Sequence, residues 1–239
     1  NIMALPQVVL PTYELEIPSN GKKIKYRPFV VKEEKLLLLA LESEDEKEIE
    51  KAVKQLLKGC IQSRIKIEEL PIFDLEYIFL QIRAVSVGEI VEMQVTCKDD
   101  DKTQVRYNLN LSEVAVIKPE GHSSKIELAE NFGVIMKYPA WTEFISGSIM
   151  GKSPTADGII DIIAGCVDQI YEGDDVYDNS TTSKKEFVQF LESLTNNQFE
   201  QIQKFFEGTP RLEHKFTVMN PNTGEPSEFI IQGLSNFFG

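Results

Sequence analysis

The chain is poor in the residues that carry out covalent and metal chemistry. Among 239 residues it has two histidines, His122 and His214, and three cysteines, Cys60, Cys97 and Cys166. An odd, sparse set of thiols far apart in sequence excludes a disulfide framework and points to a reducing compartment. Neither histidine has a cysteine at a ligand spacing, so both read as surface or strand side chains rather than ligands or bases. Membrane-length apolar runs are missing too. The greasiest block, residues 36–41, meets charge at once on both sides. Positive charge is the scarce sign, with 25 Lys and Arg against 38 Asp and Glu and a net charge of −13. Such a surface repels phosphate backbones and disfavours nucleic-acid binding. Met3 reads as the native start, with Asn1 and Ile2 as a remnant of expression. No signal peptide follows it, which implies a protein that is cytosolic where it is made.

What is present is ordinary globular composition, 42% hydrophobic and 26% charged, enough for one large or two small domains. Residues 12–17 and 24–29 alternate as two strands around Pro18-Ser19-Asn20-Gly21, and Pro28 ends the second. Helical periodicity follows over residues 32–41. A second helix carries Ile49, Val53, Leu56, Leu57 and Cys60, with Ser43 and Glu46 as its capping box. A third starts near Pro71 and carries Phe73, Tyr77, Leu80 and Ala84. Residues 90–97 and 105–111 form another hairpin around a polar turn, and residues 119–124 read as a linker.

The second half opens with a hairpin over residues 125–138 and a loop through Pro154. A helix is expected next, with Ile159, Ile163, Val167 and Ile170 on one face, running into an acidic loop at residues 172–178. Ser183 with Glu186, and Thr195 with Gln198, are capping boxes for two more helices, and Gly208-Thr209-Pro210 stops the last. A final hairpin turns at residues 220–224.

The two halves echo each other. Lys25-Tyr26 recurs as Lys137-Tyr138, Val95-Thr96-Cys97 as Thr217-Val218-Met219, and Leu111-Ser112 as Leu234-Ser235, in the same order. The expected architecture is therefore α+β. It has two similar lobes, residues 3–118 and 124–239, each hairpin, helices, hairpin, related by duplication, or else one closely packed unit.

No chemical constellation stands out. Cys97 ends a strand before a polar turn, where a zinc knuckle places its first ligand. The second ligand should follow two to four residues on, but those positions hold Asp99, Asp100 and Asp101, and the matching stretch Met219-Asn220-Pro221-Asn222 has no thiol. Cys60 and Cys166 read as core packing. The acidic stretch 172–178 lacks the alternating ligands of a calcium loop. Residues 147–153 imitate a phosphate loop, but only three residues separate the glycines and no strand leads in. No catalytic residue, metal site or cofactor is expected. Protein contact is the remaining role, with Arg27, the turn Asp99, Asp100 and Asp101, and the terminal Phe237 and Phe238 as candidates.

The stretch Tyr26-Arg27-Pro28-Phe29-Val30-Val31-Lys32-Glu33-Glu34-Lys35 resembles the T4-type bacteriophage baseplate family. Met3-Ala4-Leu5-Pro6 leading to Tyr13-Glu14-Leu15, the run Leu41-Glu42-Ser43-Glu44-Asp45, and Ile145-Ser146-Gly147 extend the resemblance over most of the chain. It implies a non-enzymatic protein of the tail baseplate hub, either an assembly factor or chaperone or a structural subunit of the virion. It also implies partners among the other hub proteins, or further copies of the chain, met in the host cytoplasm. An unrelated acidic adaptor or regulatory binding module is the competing reading.

Overall fold

The structure, a computed structural model, describes residues 8–43, 46–140 and 156–232. Trp141, the 147–153 stretch, Ser153-Pro154 and the terminal Phe237-Phe238 lie outside them. In chain order the elements begin with β1 (Tyr13–Glu16), β2 (Lys23–Tyr26), α1 (Val31–Glu42), α2 (Glu46–Cys60) and α3 (Ile72–Val87). Then come β3 (Ile90–Thr96), β4 (Gln104–Asn110), β5 (Ala115–Ile117), β6 (Lys125–Ala129) and β7 (Phe132–Met136). After α4 (Ala156–Gly165) follow β8 (Val167–Glu172), β9 (Asp175–Asp178), α5 (Lys184–Ser193), α6 (Asn196–Glu207), β10 (Arg211–Met219) and β11 (Pro226–Gln232). The α+β class expected from the periodicity is present, as small antiparallel sheets interleaved with helices.

The chain forms two compact units. One contains residues up to Ile67, Phe73–Val116, and everything from Leu212 onward; the other contains Glu68–Ile72 and Ile117–Arg211. The chain leaves the first unit briefly at Glu68–Ile72 and again at Ile117, and the stretch 119–124, expected as a linker, lies inside the second unit. The last passage, at Leu212, returns the final hairpin to the first unit.

In the first unit, β1 and β2 pair with Leu15 opposite Ile24, both buried. In α2, Ala52, Val53, Leu56, Leu57 and Cys60 are buried, one helical face as its spacing requires. The helix α3 buries residues on most sides, including Phe73, Leu75, Ile78, Phe79, Leu80 and Ile82, as its nearly unbroken apolar sequence dictates. The β3–β4 hairpin and the three-stranded sheet β11–β10–β5 share one core, which contains Leu80, Val91, Cys97, Leu109, Leu212, Val218 and Ile231. Tyr107 of β4 stacks on Phe216 of β10, with centroids 3.8 Å apart, and Phe216 stacks on Phe229 of β11 at 5.4 Å.

The second unit is built on the sheet β6–β7–β8–β9, with Val134, Met136, Ile163, Cys166, Val167, Phe187, Ile202 and Phe205 in its core. Both capping boxes read from the sequence, Ser183 with Glu186 and Thr195 with Gln198, are formed. The helix expected to reach Ile170 stops at Gly165. Residues 167–172 and 175–178 are strands instead. The cause is a bulge. Met136 pairs with Val167 and Ile135 with Gln169, which leaves Asp168 unpaired. The extra residue reverses the side-chain alternation, so Val167 and Ile170 are both buried at a spacing of three, which imitates a helix. The acidic loop is correspondingly a hairpin, with Gly173 at φ +59° in its turn.

The halves share one pairing. The Arg27 N–H donates to the Cys60 carbonyl at 3.0 Å, and the Lys137 N–H donates to the Cys166 carbonyl at 2.8 Å. In each case a hairpin's second strand meets the residue that closes a helix. The first half stops at a single bridge, Tyr26 to Ile61, whereas the second extends it into β8 and β9.

Gly133 sits where β6, β7 and β8 meet, opposite Tyr171. A Cβ there would fall well inside contact with the Ile126 carbonyl oxygen and the Tyr171 ring, and the carbonyl belongs to a paired strand that cannot retreat. Gly133→Ala should therefore destabilise the protein by about 1–3 kcal/mol, the usual cost of overpacking, read from the midpoint of urea unfolding. An unchanged midpoint would mean that the three strands are not so closely joined.

Candidate functional site

Two polar clusters stand out in the first unit. The first is the junction of β2, α1 and α2. Arg27 leaves the strand half-buried and donates from Nη2 to Glu33 Oε1 at 2.8 Å and from Nη1 to the Pro28 carbonyl at 2.8 Å. Nη1 also lies 3.8 Å from Cys60 Sγ. Glu33, on the first turn of α1, accepts the Val30 N–H through Oε2 at 2.8 Å, half of a capping box without its serine. Burial alone would raise the Glu33 pKa, but the bonds from Arg27 and Val30 outweigh it and hold the carboxyl below its usual range. Burial pushes the Cys60 thiol up to about 11, so it stays protonated and unreactive. Tyr26 is buried, and the Phe29 N–H donates to Ser86 Oγ at 2.9 Å on α3.

The second cluster joins the tips of β3–β4 and β10–β11. Asn220, only 1% exposed, donates from Nδ2 to both Asp99 oxygens at 3.0 Å and to Asp100 Oδ2 at 3.1 Å. Thr223 Oγ1 donates to Asp99 Oδ2 at 2.6 Å, and Asn222 Nδ2 to Thr103 Oγ1 at 2.9 Å. The Lys98 N–H donates to the buried Ser227 hydroxyl at 2.9 Å, and Lys98 Nζ sits 5.0 Å from the centroid of the Phe229 ring. Asp100 also accepts the N–H groups of Lys102 and Thr103 and the Thr103 hydroxyl. The Thr223 and Asn220 bonds lower the Asp99 pKa, and the Thr103 bonds lower that of Asp100 further.

The sequence candidates are thus distributed unevenly. Arg27 turns onto Glu33 inside its own unit. Asp99 and Asp100 bond to the opposite hairpin, although Asp99 keeps exposed surface, and Asp101, at φ +53°, is exposed in the turn. Sequence reasoning missed Asn220 and Thr223, because the two loops align one residue away from the Val95-Thr96-Cys97 match. It also took both histidines as surface or strand residues. His214 is on a strand, and buried there, with Nε2 3.0 Å from Tyr107 Oη. In the second unit His122, Tyr138 and Phe205 form a three-ring cluster in mutual contact, with His122 Nε2 3.1 Å from Tyr138 Oη. His122 packs so close to Gly208 that a Cβ there would lie 2.6 Å from Nδ1. Among the described residues no group of three or more His, Cys, Asp or Glu is placed to hold a metal.

The T4 bacteriophage base plate protein family matches residues 10–239, nearly the whole chain and both clusters with it. The chain belongs to that family. Among curated proteins and among solved structures no significant match is found. A baseplate protein works among other phage proteins in the tail. No helix among the described residues is long and apolar enough to cross a membrane.

One buried carboxyl has no precedent in the sequence reading. Asp74, in the first turn of α3, is fully buried and accepts the Ser19 N–H at 3.0 Å and the Ser19 hydroxyl. Burial pushes its pKa up to about 6, against the lowering effect of the two Ser19 bonds. A carboxyl whose pKa rises on folding gives stability that is complete below the unfolded value near 4 and lost as pH climbs through 6. Asn at this position still offers Ser19 an acceptor. Asp74→Asn should match the wild type near pH 4 and gain roughly 2–3 kcal/mol on it by pH 8, measured by urea unfolding across that range. Parallel pH profiles would show that Asp74 titrates normally.

Proposed function

We propose that this baseplate protein builds the central hub of the tail without catalysing a reaction, by binding other hub proteins in the host cytoplasm. It acts there as an assembly factor or stays on as a hub subunit. The observation that carries the reading is the family match over residues 10–239. The surface of α1 supports it. Leu37 and Ala40 turn inward, whereas Val31 is 77% exposed, Leu38 53% and Leu39 54%. A solvated helix seldom keeps three large apolar side chains outside without a use for them. Leu39 also lines a shallow groove between α1 and α2 with Leu36, Ala40 and Ala52, edged by Lys51 and Gln55. Apolar floor and mixed polar rim are the make-up of a protein-binding surface.

Co-expression with the other hub proteins tests the proposal. The full chain should co-purify with at least one of them, and Leu38→Glu with Leu39→Glu should abolish the association. Both side chains are exposed, so stability should move by no more than about 0.5 kcal/mol. Failure to co-purify with any hub protein, together with normal baseplates in its absence, would overturn the reading. Mass spectrometry of purified particles separates its two forms, since an assembly factor leaves and a subunit stays.

A further inference from the structure

The two hairpin tips share a backbone over their first five residues that their sequences hide, after which the β3–β4 loop carries one residue more before its neck. In the β3–β4 loop the Cys97 N–H donates across the neck to Thr103 O at 2.8 Å, and the Asp101 N–H donates back to Cys97 O at 3.0 Å. In the β10–β11 loop the Asn220 N–H donates to Glu225 O at 2.9 Å, and the Gly224 N–H donates back to Asn220 O at 2.8 Å. The fifth residue of each loop has positive φ, +53° at Asp101 and +77° at Gly224. Two hairpins closing on such loops and meeting tip to tip are the scaffold on which ribbon-type structural zinc sites are built, with two residues between the ligands of each loop. Here the first and fourth loop positions are Cys97 and Asp100 on one side, Asn220 and Thr223 on the other.

That residue set does not fit a metal. A carboxamide and a neutral hydroxyl are poor partners for zinc, and one thiol cannot make a thiolate site. The hydrogen-bond directions decide the matter. Asn220 Nδ2 and Thr223 Oγ1 present hydrogens, not lone pairs, to the facing loop, and the Asp99 and Asp100 oxygens accept them. The remaining acceptor capacity of Asp100 is taken by Lys102 and Thr103 of its own loop.

We propose that the paired tips are a metal-free clasp on a two-knuckle scaffold, in which the Asn220 amide and the Thr223 hydroxyl bind the Asp99 and Asp100 carboxylates and so hold the last hairpin to β3–β4. The acceptors are charged, which makes these bonds stronger than neutral ones. The clasp is indifferent to chelators and sensitive to acid. Both carboxyls have lowered pKa values, so their contribution is present above about pH 4 and lost as pH falls below it.

Metal analysis of the purified full chain should find no stoichiometric zinc, and EDTA should leave Tm unchanged. Stoichiometric zinc, or a Tm lowered by EDTA, would overturn the proposal. The scaffold half of the claim is tested by restoring ligands. Asp100→Cys with Asn220→Cys and Thr223→Cys, beside the native Cys97, should bind one equivalent of cobalt(II) with the intense d–d absorption of a tetrahedral thiolate site. Its Tm should then fall on chelation. Weak octahedral absorption, or no binding, would show that the loops are not equivalent. Should the triple variant prove insoluble, Asn220→Cys with Thr223→Cys, which retains Asp100, is titrated with cobalt(II) instead. Tetrahedral absorption again supports the shared scaffold, and its absence again overturns it.

Discussion

The first unit depends on the face-to-face packing of two hairpins that lie more than a hundred residues apart in the chain. A two-stranded hairpin alone is marginal in water, because it buries too little to offset the entropy of ordering it. Neither β3–β4 nor β10–β11 escapes that limit by itself. Together, with α3 supplying Leu80 and Ala84 and β5 adding a third strand, they enclose Cys97, Leu109, Leu212, Val218 and Ile231. The Tyr107–Phe216–Phe229 stack fixes the relative position of the strands, and the polar contacts at the tips fix their ends. Apart from Glu68–Ile72, the second unit is therefore an excursion from the first. Everything from Ile117 to Arg211 is spelled out before the chain returns to complete the unit it left.

This arrangement explains which parts of the fold were legible. Elements with one clean period are read correctly in kind and place, including β1 and β2 around Gly21, the buried face of α2, and α5 and α6 behind their capping boxes. Each of these is decided by neighbours in sequence. The failures arise where geometry is set from elsewhere. The bulge at Asp168 places two buried residues three apart, and no single-sequence period distinguishes that from a helix. The partnership of the last hairpin is a long-range choice that its own residues do not encode. Duplication of the halves is not shown; what they share is the strand-to-cysteine hydrogen bond at Arg27 and at Lys137 and the turn bonding of the two hairpin tips. The Tyr26 and Tyr138 match places the former slightly out of register.

The polar groups of the first unit work in opposite directions with pH. Asp74 is buried beyond what its two Ser19 bonds repay, so folding favours its proton. Glu33, Asp99 and Asp100 are each supplied with enough donors that folding favours their charge. The difference is one of donor count and exposure, not of residue type. Asp74 faces a single serine from inside an apolar helix, while Asp100 accepts from Lys102, Thr103 and Asn220 at a loop. Sequence position could not have separated them, since all are acidic residues beside turns or helix starts.

An acidic turn at the tip of a hairpin reads from sequence as a contact, yet the donors around Asp99 and Asp100 come from the chain itself. Asp99 keeps exposed surface, but a partner that displaced the Asn220 amide from these oxygens would leave a buried amide unpaired. Arg27 is in the same position, because drawing it outward would strip Glu33 of its cation and loosen the first turn of α1. Charged residues near the two junctions are thus committed to holding β2, α1, α2 and the two hairpins in place. The exposed apolar side chains of α1 carry no such internal obligation. Covering them costs no hydrogen bond, and removing Val31, Leu38 and Leu39 from water is favourable in itself. A partner that docks by apolar burial on α1 would therefore meet less resistance than one that docks by charge at the hairpin tips.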